Sequence, residues 1–488
     1  MPPETAAGGV PMAGDAPHPG CNCGRRRRGA PPPPLLTPDL VIAARDRARE
    51  PELPAATVER ALATPVLPRL AKYDVVFLSP LSDSADHEAR LIAEFARHEH
   101  RVFVLRAEPP AAGQPAAPNV HHEISPVYAT GDNAAIAAAL ATLRQTHQIE
   151  AAAIFVPPDA DPVLAAGIRG RWGWKTVTLA AAPAPLAKAA DLLLAFAAPV
   201  DDVPPKTLSL PADLAWPARW SALDTALRQT WPRASVIVLT HDNLAFTRLC
   251  LASIFENTEY PNYELVLVDN ASTDGTVAEL RRIAAAVRNV IVIENSVNAG
   301  FGGGNNQGLA AASGDILVLL NNDTIVPRGW LTRLARHLDN PLVGLIGPAT
   351  NRTCNEAQRN PPYQTYGEYQ DVARAFSDRH GGDRRPIRML AMFCTAFRRD
   401  TYDLIGPLDE RYEVGMFEDE DYALRVKERG FDVVWTPEVY VHHAYHASIG
   451  KLLPSGEYMR LVNLNQGRFE EKWGICWERH RPLPPPAS

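Results

Sequence analysis

The sequence predicts a mixed α/β protein in which two domains built on parallel sheets follow one another along the chain. Its 488 residues exceed what one ordinary hydrophobic core contains, so two or three domains are expected. Apolar runs of strand length alternate with amphipathic helical patterns in both halves, which is typical of doubly wound sheets. In the second half, several predicted strands end in polar residues, which indicates a ligand site at that sheet edge.

Composition divides the chain into segments. The first segment is rich in Pro, Ala and Arg, which predicts an arm without a core; its run RRRR is a solvated charge run or a contact to anionic lipid. The loop after the next segment's first strand, LSPLSDSAD, has no glycine, so nothing there marks a nucleotide site. The predicted segments are a disordered arm (1–68), a smaller Rossmann-like parallel α/β domain (69–200), a linker (201–232), a second α/β domain (233–478) and a Pro-rich tail (479–488).

Charge and hydropathy exclude several classes of protein. The chain has 49 basic and 56 acidic residues, and its net charge of -7 argues against a general nucleic-acid binder. No run approaches the ~20 apolar residues that span a bilayer. The N-terminus also lacks the charged and apolar regions of a secretory signal. The six cysteines are few for this length and indicate reduced thiols, so the sequence predicts a cytoplasmic protein.

Four predicted strands open the second half. They are SVIVLT, YELVLVDN, NVIVIEN and DILVLL, in that order. Asp269 and Asn270 end the second strand, and Asn321, Asn322 and Asp323 follow the fourth. Because the carboxyl ends of parallel strands meet at one edge, we expect Asp269 and Asp323 to converge on one crevice. An aspartate in the place of Asp269 could accept hydrogen bonds from a nucleobase or a ribose.

A glycine-rich segment, NAGFGGGNNQG, follows the third strand and predicts a loop that runs into a helix. Its glycines, Gly300 among them, would let the backbone approach a ligand closely, and the helix N-terminus would favour a diphosphate. Asn298, Asn305 and Asn306 offer neutral hydrogen bonds. A tight turn is the alternative explanation of the glycines taken alone.

The polar residues after the fourth strand predict a metal site. Asp323 offers carboxylate oxygen, the kind of ligand that Mg²⁺ and Mn²⁺ prefer. Such an ion would bridge the phosphates of a nucleotide sugar and offset charge on the leaving diphosphate. Asn321 and Asn322 could hydrogen-bond ribose or phosphate without adding charge. The alternative is that Asn-Asn-Asp forms only a turn. Because other predicted strands also end in polar residues, the ligand site is favoured.

Two later segments could complete the chemistry. Four carboxylates open a predicted helix in MFEDEDYALRVKERG; the helix dipole accounts for some of them, and Asp421 and Arg425 are spaced to pair. One of the acids could act as a general base on an acceptor hydroxyl. The segment VHHAYHAS contains three histidines, His442, His443 and His446. One of them could supply a neutral imidazole as a second metal ligand; the alternative is that all three are structural.

Taken in order, these motifs give residues 234–474 a resemblance to the inverting nucleotide-sugar glycosyltransferases of family 2, which have the GT-A fold. The matching stretches are SVIVLTHDN, LVLVDNASTDGT, NAGFGGGNNQG, LLNNDT, IGPLDERYEVGMFEDEDYALRVKERG, HAYHAS and NLNQGRFEEKWG. Within the family, the chain looks most similar to the branch of rhamnosyl- and galactofuranosyl-transferases of cell-surface polysaccharides. The first α/β domain resembles the N-terminal half of a GT-B glycosyltransferase.

The resemblance implies roles for individual residues. Asp269 resembles the aspartate that reads the base of the donor nucleotide, and Asp323 resembles the last residue of the Asp-x-Asp metal motif. Asp419 resembles the catalytic base of the Glu-Asp-x-Asp motif. His443 resembles the metal-ligating histidine, and His442 is the alternative if the register shifts by one.

The implied donor site departs from the family pattern at one position. Asn321 stands where the first acid of Asp-x-Asp is expected, which leaves one carboxylate for the metal. The departure is common in the branch that the chain resembles, so it does not indicate an inactive protein. The residues implied to bind the donor are Thr240, Asp269, Asn270, Ser272, Asn298, Gly300, Phe301, Asn306, Asn321 and Asn322.

The resemblance implies transfer of a sugar, with inversion, from a UDP- or dTDP-linked donor to a hydroxyl of a glycan or lipid-linked acceptor, with Mg²⁺ or Mn²⁺ as cofactor. It implies no nucleic-acid partner, and it leaves room for peripheral contact with the inner face of the plasma membrane and for partner enzymes bound through the N-terminal domain. Two alternatives stay open. One is a catalytically silent scaffold that binds nucleotide sugars; the other is a nucleotidyltransferase, which would need a basic glycine-rich loop in place of LTHDNLAFTR.

Overall fold

The computed structural model describes most of the chain from residue 34 to residue 478. The described residues are 34–42, 53–79, 85–106, 117–124, 132–179, 182, 184–195, 207–210, 215–444 and 456–478. The arginine run, the predicted Pro-rich tail and His446 lie outside these residues.

The first half forms a parallel sheet, as predicted. Within the described residues it has seven strands in the order β3-β2-β1-β4-β5-β6-β7. The strands are β1 (Asp74–Leu78), β2 (Val102–Arg106), β3 (Val120–Ile124), β4 (Ala152–Phe155), β5 (Lys175–Leu179), β6 (Leu192–Ala195) and β7 (Thr207–Ser209). The helices of this half are α1 (Ala55–Ala63), α2 (Ala85–Arg97), α3 (Asn133–His147), α4 (Pro162–Trp172), α5 (Ala184–Ala189) and α6 (Trp216–Gln229).

The second half forms a mixed sheet of nine described strands, ordered β10-β9-β8-β11-β15-β13-β16-β12, with β14 paired to β16. The strands are β8 (Ala234–Thr240), β9 (Tyr263–Asp269), β10 (Val290–Glu294), β11 (Ile316–Asn321), β12 (Thr324–Ile325), β13 (Val343–Thr350), β14 (Arg385–Pro386), β15 (Cys394–Arg398) and β16 (Asp432–His443). The helices are α7 (Leu244–Asn257), α8 (Thr276–Ala286), α9 (Gly300–Ala311), α10 (Trp330–His337), α11 (Tyr366–His380), α12 (Arg399–Ile405), α13 (Glu418–Glu428) and α14 (Glu457–Trp473).

The four predicted strands of the second half, β8 to β11, are parallel neighbours. Strands β8, β9 and β11 are buried almost throughout, because helices cover both faces of the sheet. The chain adds β9 and β10 on one side of β8 and then returns to add β11 on the other side. The strand order reverses between β8 and β11, which is where open α/β sheets bind ligands at their carboxyl ends.

The predicted disordered arm is wrong for the described residues between 34 and 68. Leu35, Leu36, Leu40 and Ile42 are at most 4% exposed, and they join the core beneath the second sheet. Helix α1 packs on α7, where Arg248 donates to the carbonyl of Ala61 at 3.2 Å. The Pro- and Arg-rich average composition concealed the apolar stretch LLTPDLVI, which supplies the buried surface.

The predicted linker is also more ordered than expected. It contains β7, which extends the first sheet, and α6, which packs between the two sheets. One hydrophobic cluster contains side chains of both sheets, and Trp220 and Trp231 are part of it. At the seam between the sheets, Arg333 of α10 donates to Glu150 at 2.6 Å, and both side chains are buried. The first domain is therefore fixed to the second by shared core and a buried ion pair.

None of the helices that the structure describes is long and apolar enough to cross a membrane.

Candidate active site

Asp323 and His443 lie side by side at the carboxyl end of β11. The short strand β12 pairs antiparallel with the end of β16, and this register sets Thr324 opposite His443. The backbone N–H of Ala444 donates to the carbonyl of Asp323 at 2.9 Å. As a result, Oδ1 of Asp323 lies 3.4 Å from Nε2 of His443, and each side chain is about 10% exposed.

Three neighbouring residues hold His443 in place. Its backbone N–H donates to Oδ1 of Asn351 at 2.7 Å, and the Asn351 amide returns a bond to the His443 carbonyl at 3.1 Å. Nδ1 faces the carbonyl of Arg352 at 3.4 Å, so it is assigned the proton, and Nε2 is left directed at Asp323. The ring of Phe393 stacks on the imidazole with centroids 4.7 Å apart.

The neighbouring His442 has a different environment. Its Nδ1 lies 2.7 Å from the hydroxyl of Tyr363 inside the protein. Burial lowers the pKa of His442 to about 3, with the nearby His443 acting in the same direction. The structure thus brings His443, and not the alternative His442, to Asp323.

Asp269 is buried at the end of β9, and both of its carboxylate oxygens already have protein donors. Oδ1 accepts from the Thr240 hydroxyl at 3.1 Å, and Oδ2 accepts from the backbone N–H of Ser272 at 2.9 Å. The hydroxyl of Ser272 in turn accepts from the backbone of Asp242 at 2.8 Å. Thr240 and Ser272 therefore fix the carboxylate of Asp269, and only its remaining lone pairs could meet a ligand.

Asn270 organises the loop before α9 instead of facing a ligand. Its Oδ1 accepts from Asn295 and from the backbone of Ala299 at 3.0 and 2.9 Å. Its Nδ2 donates to Asn298 and to the carbonyl of Gly300 at 2.8 and 3.0 Å. These four bonds use the full capacity of the amide, so the predicted contact of Asn270 with the donor is wrong.

The glycine-rich segment forms the start of helix α9, not a ligand loop. A Cβ at Gly304 would collide with Leu239 and one at Gly308 with Ile237, so these glycines let α9 pack closely on β8. Gly300 has φ of 73°, and a Cβ there would lie 3.3 Å from the backbone nitrogen of Val414. The close approach that glycine permits here is between protein segments.

Two other residues of α9 hold the segment that leads to α13. The backbone N–H of Phe301 donates to the carbonyl of Val414 at 3.0 Å. Nδ2 of Asn306 donates to the Leu408 carbonyl at 2.9 Å and to Glu410 at 2.8 Å, and its Oδ1 accepts from the Leu408 backbone. Phe301 and Asn306, predicted as donor contacts, therefore anchor the 408–414 segment.

The two asparagines at the end of β11 lie in different environments. Asn321 is half-buried at the strand end, and its backbone N–H donates to the carbonyl of Phe393 at 2.8 Å. Asn322 is buried, and its amide donates to the Thr247 hydroxyl of α7 at 2.9 Å. The predicted contact of Asn322 with ribose or phosphate is wrong, because its side chain faces α7.

The segment before α13 has a strained backbone. Asn465 of α14 holds it by donating to the carbonyl of Gly415 at 2.9 Å. Left-handed φ values cost about 1 to 3 kcal/mol each in such residues and concentrate at functional sites. The residues concerned are Val414 (63°), Met416 (82°) and Phe417 (74°).

Two of the four acids that open α13 are occupied by the protein. Oδ1 of Asp421 accepts from the indole of Trp473 at 2.9 Å, and Oδ2 accepts from Arg425 at 3.0 Å, which confirms the predicted pair. Oε2 of Glu420 accepts from the indole of Trp477 at 2.7 Å. These two carboxylates join α13 to α14 and to the residues that follow it.

Asp419 differs from these two acids. It is half-buried, and its Oδ1 accepts the backbone N–H of Glu420 at 2.9 Å. Burial raises the pKa of Asp419 to about 7, and the charge of Glu420 adds to the effect. Burial also raises the pKa of Glu418 to about 8, with the charge of Asp419 acting in the same direction. A carboxylate with a pKa near the working pH is suited to general base catalysis.

Helix α13 packs against the sheet that carries His443. Only residues 429–431 separate the end of α13 from the start of β16. Val426, near the end of the helix, contacts Gly344 at the beginning of β13, the parallel neighbour of β16. The helix that carries Asp419 is therefore joined directly to the strand that ends at His443.

The donor set at Asp323 and His443 fits a divalent ion shared with a substrate. A carboxylate oxygen and an imidazole nitrogen are ligands that Mn²⁺ accepts. Within the part of the chain that the structure describes, no group of three or more His, Cys, Asp or Glu side chains could hold a metal. Two protein ligands suit an ion that takes its other ligands from phosphate and water.

Comparison with protein families adds to this geometry. Residues 235–406 match the family model described as glycosyl transferase family 2. The matched residues run from β8 to the end of α12, and they follow the parallel sheet of the N-terminal half.

Each of three curated relatives matches less than half of the chain. The uncharacterized protein y4gI of Sinorhizobium fredii is 27% identical over 228 residues, which are 45% of this chain and 25% of the relative. The O-antigen biosynthesis protein RfbC of Myxococcus xanthus is 26% identical over 46% of this chain and 18% of its own length. The N-acetylglucosaminyl-diphospho-decaprenol L-rhamnosyltransferase of Mycobacterium tuberculosis is 26% identical over 44% of this chain and 76% of its own.

The chain spans a quarter or less of the length of the first two of these relatives. Among solved structures, the mannosyltransferase PcManGT of Pyrobaculum calidifontis with GDP-Man and Mn²⁺ is 22% identical, with a TM-score of 0.37 over 49% of this chain and 64% of that one. GalNAc-T7 with UDP, GalNAc and Mn²⁺ is 16% identical, with a TM-score of 0.37 over 44% and 43% of the two chains.

The sequence interpretation missed the residues that hold His442 and His443. Asn351 follows β13 directly, so it is another polar residue at a strand end, and that signal could have identified it. Phe393 precedes β15 in an apolar run, and Tyr363 lies in a Pro-rich loop. Nothing in their local sequence distinguishes these two aromatic residues from core residues.

Proposed function

We propose that this chain is an inverting glycosyltransferase. It moves a sugar from a UDP- or dTDP-linked donor to a hydroxyl of a glycan or lipid-linked acceptor in the synthesis of a cell-surface polysaccharide. The observation that carries the proposal is the 3.4 Å approach of Asp323 to His443 at the carboxyl end of β11. The names of RfbC and of the L-rhamnosyltransferase support an acceptor of this class.

Asp419 acts as the general base in this proposal. Its carboxylate accepts the proton of the acceptor hydroxyl while the hydroxyl oxygen attacks the anomeric carbon. The bond from the anomeric carbon to the diphosphate breaks on the opposite face, and the configuration inverts. The raised pKa of Asp419 makes it a stronger base than an ordinary aspartate, and the backbone N–H of Glu420 holds it in place.

Asp323 and His443 would hold Mg²⁺ or Mn²⁺ at the diphosphate end of the donor. When bound, the ion offsets the negative charge that develops on the leaving diphosphate. Asn351 and Phe393 keep the His443 ring in the orientation that presents Nε2. Asp269, fixed by Thr240 and Ser272, accepts a hydrogen bond from the nucleobase. In this proposal, Asn298, Gly300 and Asn321 also contact the donor.

A catalytically silent scaffold that binds nucleotide sugars is the competing function. Asn321, in the place of an acid, favours it, while the raised pKa of Asp419 favours the enzyme. In either case, the N-terminal domain positions an acceptor or a partner enzyme, and the protein works at the inner face of the plasma membrane.

Calorimetric titration of UDP and dTDP, each with and without Mn²⁺, tests the proposal. We expect metal-dependent binding of one nucleotide to the wild type. We expect Asp323→Ala and His443→Ala to weaken that binding at least ~10-fold. Asp378→Ala, on the exposed side of α11, is the matched control and should bind as the wild type does. Failure of the wild type to bind either nucleotide would rule out the proposed donor site.

A further inference from the structure

A cavity of about 250 Å³ opens beside the first turn of α13. Its floor consists of Met389, Leu424 and the buried ring of Phe469. Glu420 and Arg388 form a charged pair on its wall, with Nη2 and Oε2 3.5 Å apart. The cavity lies between α13 and α14, and the donor residues described above do not line it.

The position of the cavity relates it to the acceptor. Glu420 is the residue directly after Asp419, so the cavity begins about 3.8 Å along the backbone from the proposed base. A hydroxyl that gives its proton to Asp419 belongs to an acceptor molecule that must continue away from the donor. The wall formed by α13 gives that molecule a path into the cavity.

The chemistry of the lining suits a saccharide. A sugar ring has apolar C–H faces and a rim of hydroxyls, so it needs an apolar floor and hydrogen-bonding groups at its edge. Met389 and Leu424 supply the floor, and the Arg388–Glu420 pair supplies adjacent donors and acceptors. The volume is smaller than the ~300 to 1,000 Å³ of sites for drug-sized ligands, and it suits one ring.

We infer that this cavity holds one sugar ring of the acceptor, next to the ring whose hydroxyl is glycosylated. The inference rests on the proposed function. It makes the acceptor an oligosaccharide or a glycolipid with at least two sugars. Arg388 and Leu424 then determine which acceptor molecules bind, and neither residue contacts the donor nucleotide.

Cys476 provides a test, because it lines the cavity and is exposed. The exposed Cys354 and the two cysteines at 21 and 23 are replaced by serine to give a background variant. Cys250 and Cys394 stay, because both are buried and burial raises the pKa of Cys250 to about 12. Fluorescein maleimide then modifies Cys476 and fills the cavity.

The probes are the methyl glycosides of glucose, galactose, mannose, rhamnose and N-acetylglucosamine. Their binding is measured by saturation-transfer NMR on the full chain with Mg²⁺ and the nucleotide present. We expect at least one glycoside to bind and its signal to fall at least tenfold after labelling of Cys476. The same treatment of a variant that also carries Cys476→Ser should leave the signal unchanged.

A second variant, Leu424→Trp, fills the cavity without a label and should cause the same loss. Leu404→Trp, at an exposed leucine of α12, is its matched control. The inference is overturned if none of the glycosides binds, or if binding survives both the label and Leu424→Trp. Nucleotide titration of the labelled protein separates the two proposals, since retained nucleotide binding leaves the proposed function standing when the cavity inference fails.

Discussion

The indole nitrogen of Trp473 donates a hydrogen bond to Oδ1 of Asp421 at 2.9 Å, and this bond ties α14 to the helix that carries Asp419. Lys472 and Arg425 approach the same carboxylate at 2.5 and 3.0 Å. The Asp421 side chain is fully buried. A buried charge with this many partners stabilises the arrangement only while all of them are present.

Replacing Asp421 by Ala should therefore destabilise the protein strongly. The change leaves Lys472 and Arg425 partly buried without their carboxylate, and we expect the free energy of unfolding to fall by about 3 to 5 kcal/mol. Urea unfolding followed by circular dichroism measures it. Glu457→Ala, which breaks an exposed pair with Arg460, should leave the unfolding midpoint unchanged. Equal midpoints for the two variants would contradict the argument.

Asp419→Asn should abolish turnover and spare donor binding. The amide keeps the size of the side chain but cannot accept the acceptor's proton, so the rate should fall by about 10² to 10⁴-fold. Release of nucleoside diphosphate from the donor measures the rate, and calorimetry measures nucleotide affinity. Asp403→Asn, at an exposed position of α12, is the control. Loss of nucleotide affinity along with the rate would give Asp419 a structural role in the donor site instead.

The raised pKa of Asp419 predicts how the rate depends on pH. The base must be ionised to act, so kcat/KM should rise with pH and level off above about 7. A rate that is independent of pH between about 5 and 8 would exclude Asp419 as the titrating base.

The same pKa shift makes the folded protein less stable as pH rises, although the rate increases. The carboxyl of Asp419 shifts from 3.8 to about 7 on folding, so the folded state binds more protons between these values and loses stability as pH rises through them. Asp419→Asn removes this cost. It should unfold at a higher temperature than the wild type at about pH 8 and at the same temperature near pH 4. A difference that is constant across this range would show that ionisation is not the cause.

Asn351→Ala should weaken metal-dependent nucleotide binding through His443. The change removes both hydrogen bonds between the amide and the backbone of His443 and lets the ring leave the position where Nε2 faces Asp323. Loss of such an outer contact typically costs 10 to 100-fold in metal affinity. Titration of Mn²⁺ at fixed nucleotide measures the effect, while binding of nucleotide without metal should stay as in the wild type. Asn463→Ala, at an exposed position of α14, is the control.

The sequence predicted the framework of the site better than its side-chain orientations. The alternation of apolar runs and helical patterns predicted both sheets. The polar end of β11 pointed to Asp323, and the family resemblance pointed to His443, which the structure places 3.4 Å from it. Asn322 was misplaced because residues beyond a strand end no longer follow its two-residue alternation. The glycines of α9 were misinterpreted because a missing Cβ serves a close helix contact as well as a ligand.

The buried pair between Arg333 and Glu150 predicts that the two sheets unfold together. Arg333→Ala should lower the free energy of unfolding by about 3 kcal/mol, because Glu150 stays buried and loses its partner at 2.6 Å, while Arg144 is 3.5 Å away. Arg374→Ala, which breaks an exposed pair on α11, should have no effect.

A double variant distinguishes the loss of the ion pair from a general disruption of packing between the two sheets. Arg333→Met combined with Glu150→Leu replaces the buried charges by apolar groups and should recover most of the lost stability. Urea unfolding monitored by tryptophan fluorescence and by circular dichroism should give coincident transitions in the wild type. Separate transitions there would mean that the first domain folds on its own. The shared cluster that includes Trp220 and Trp231 would then not couple it to the second domain.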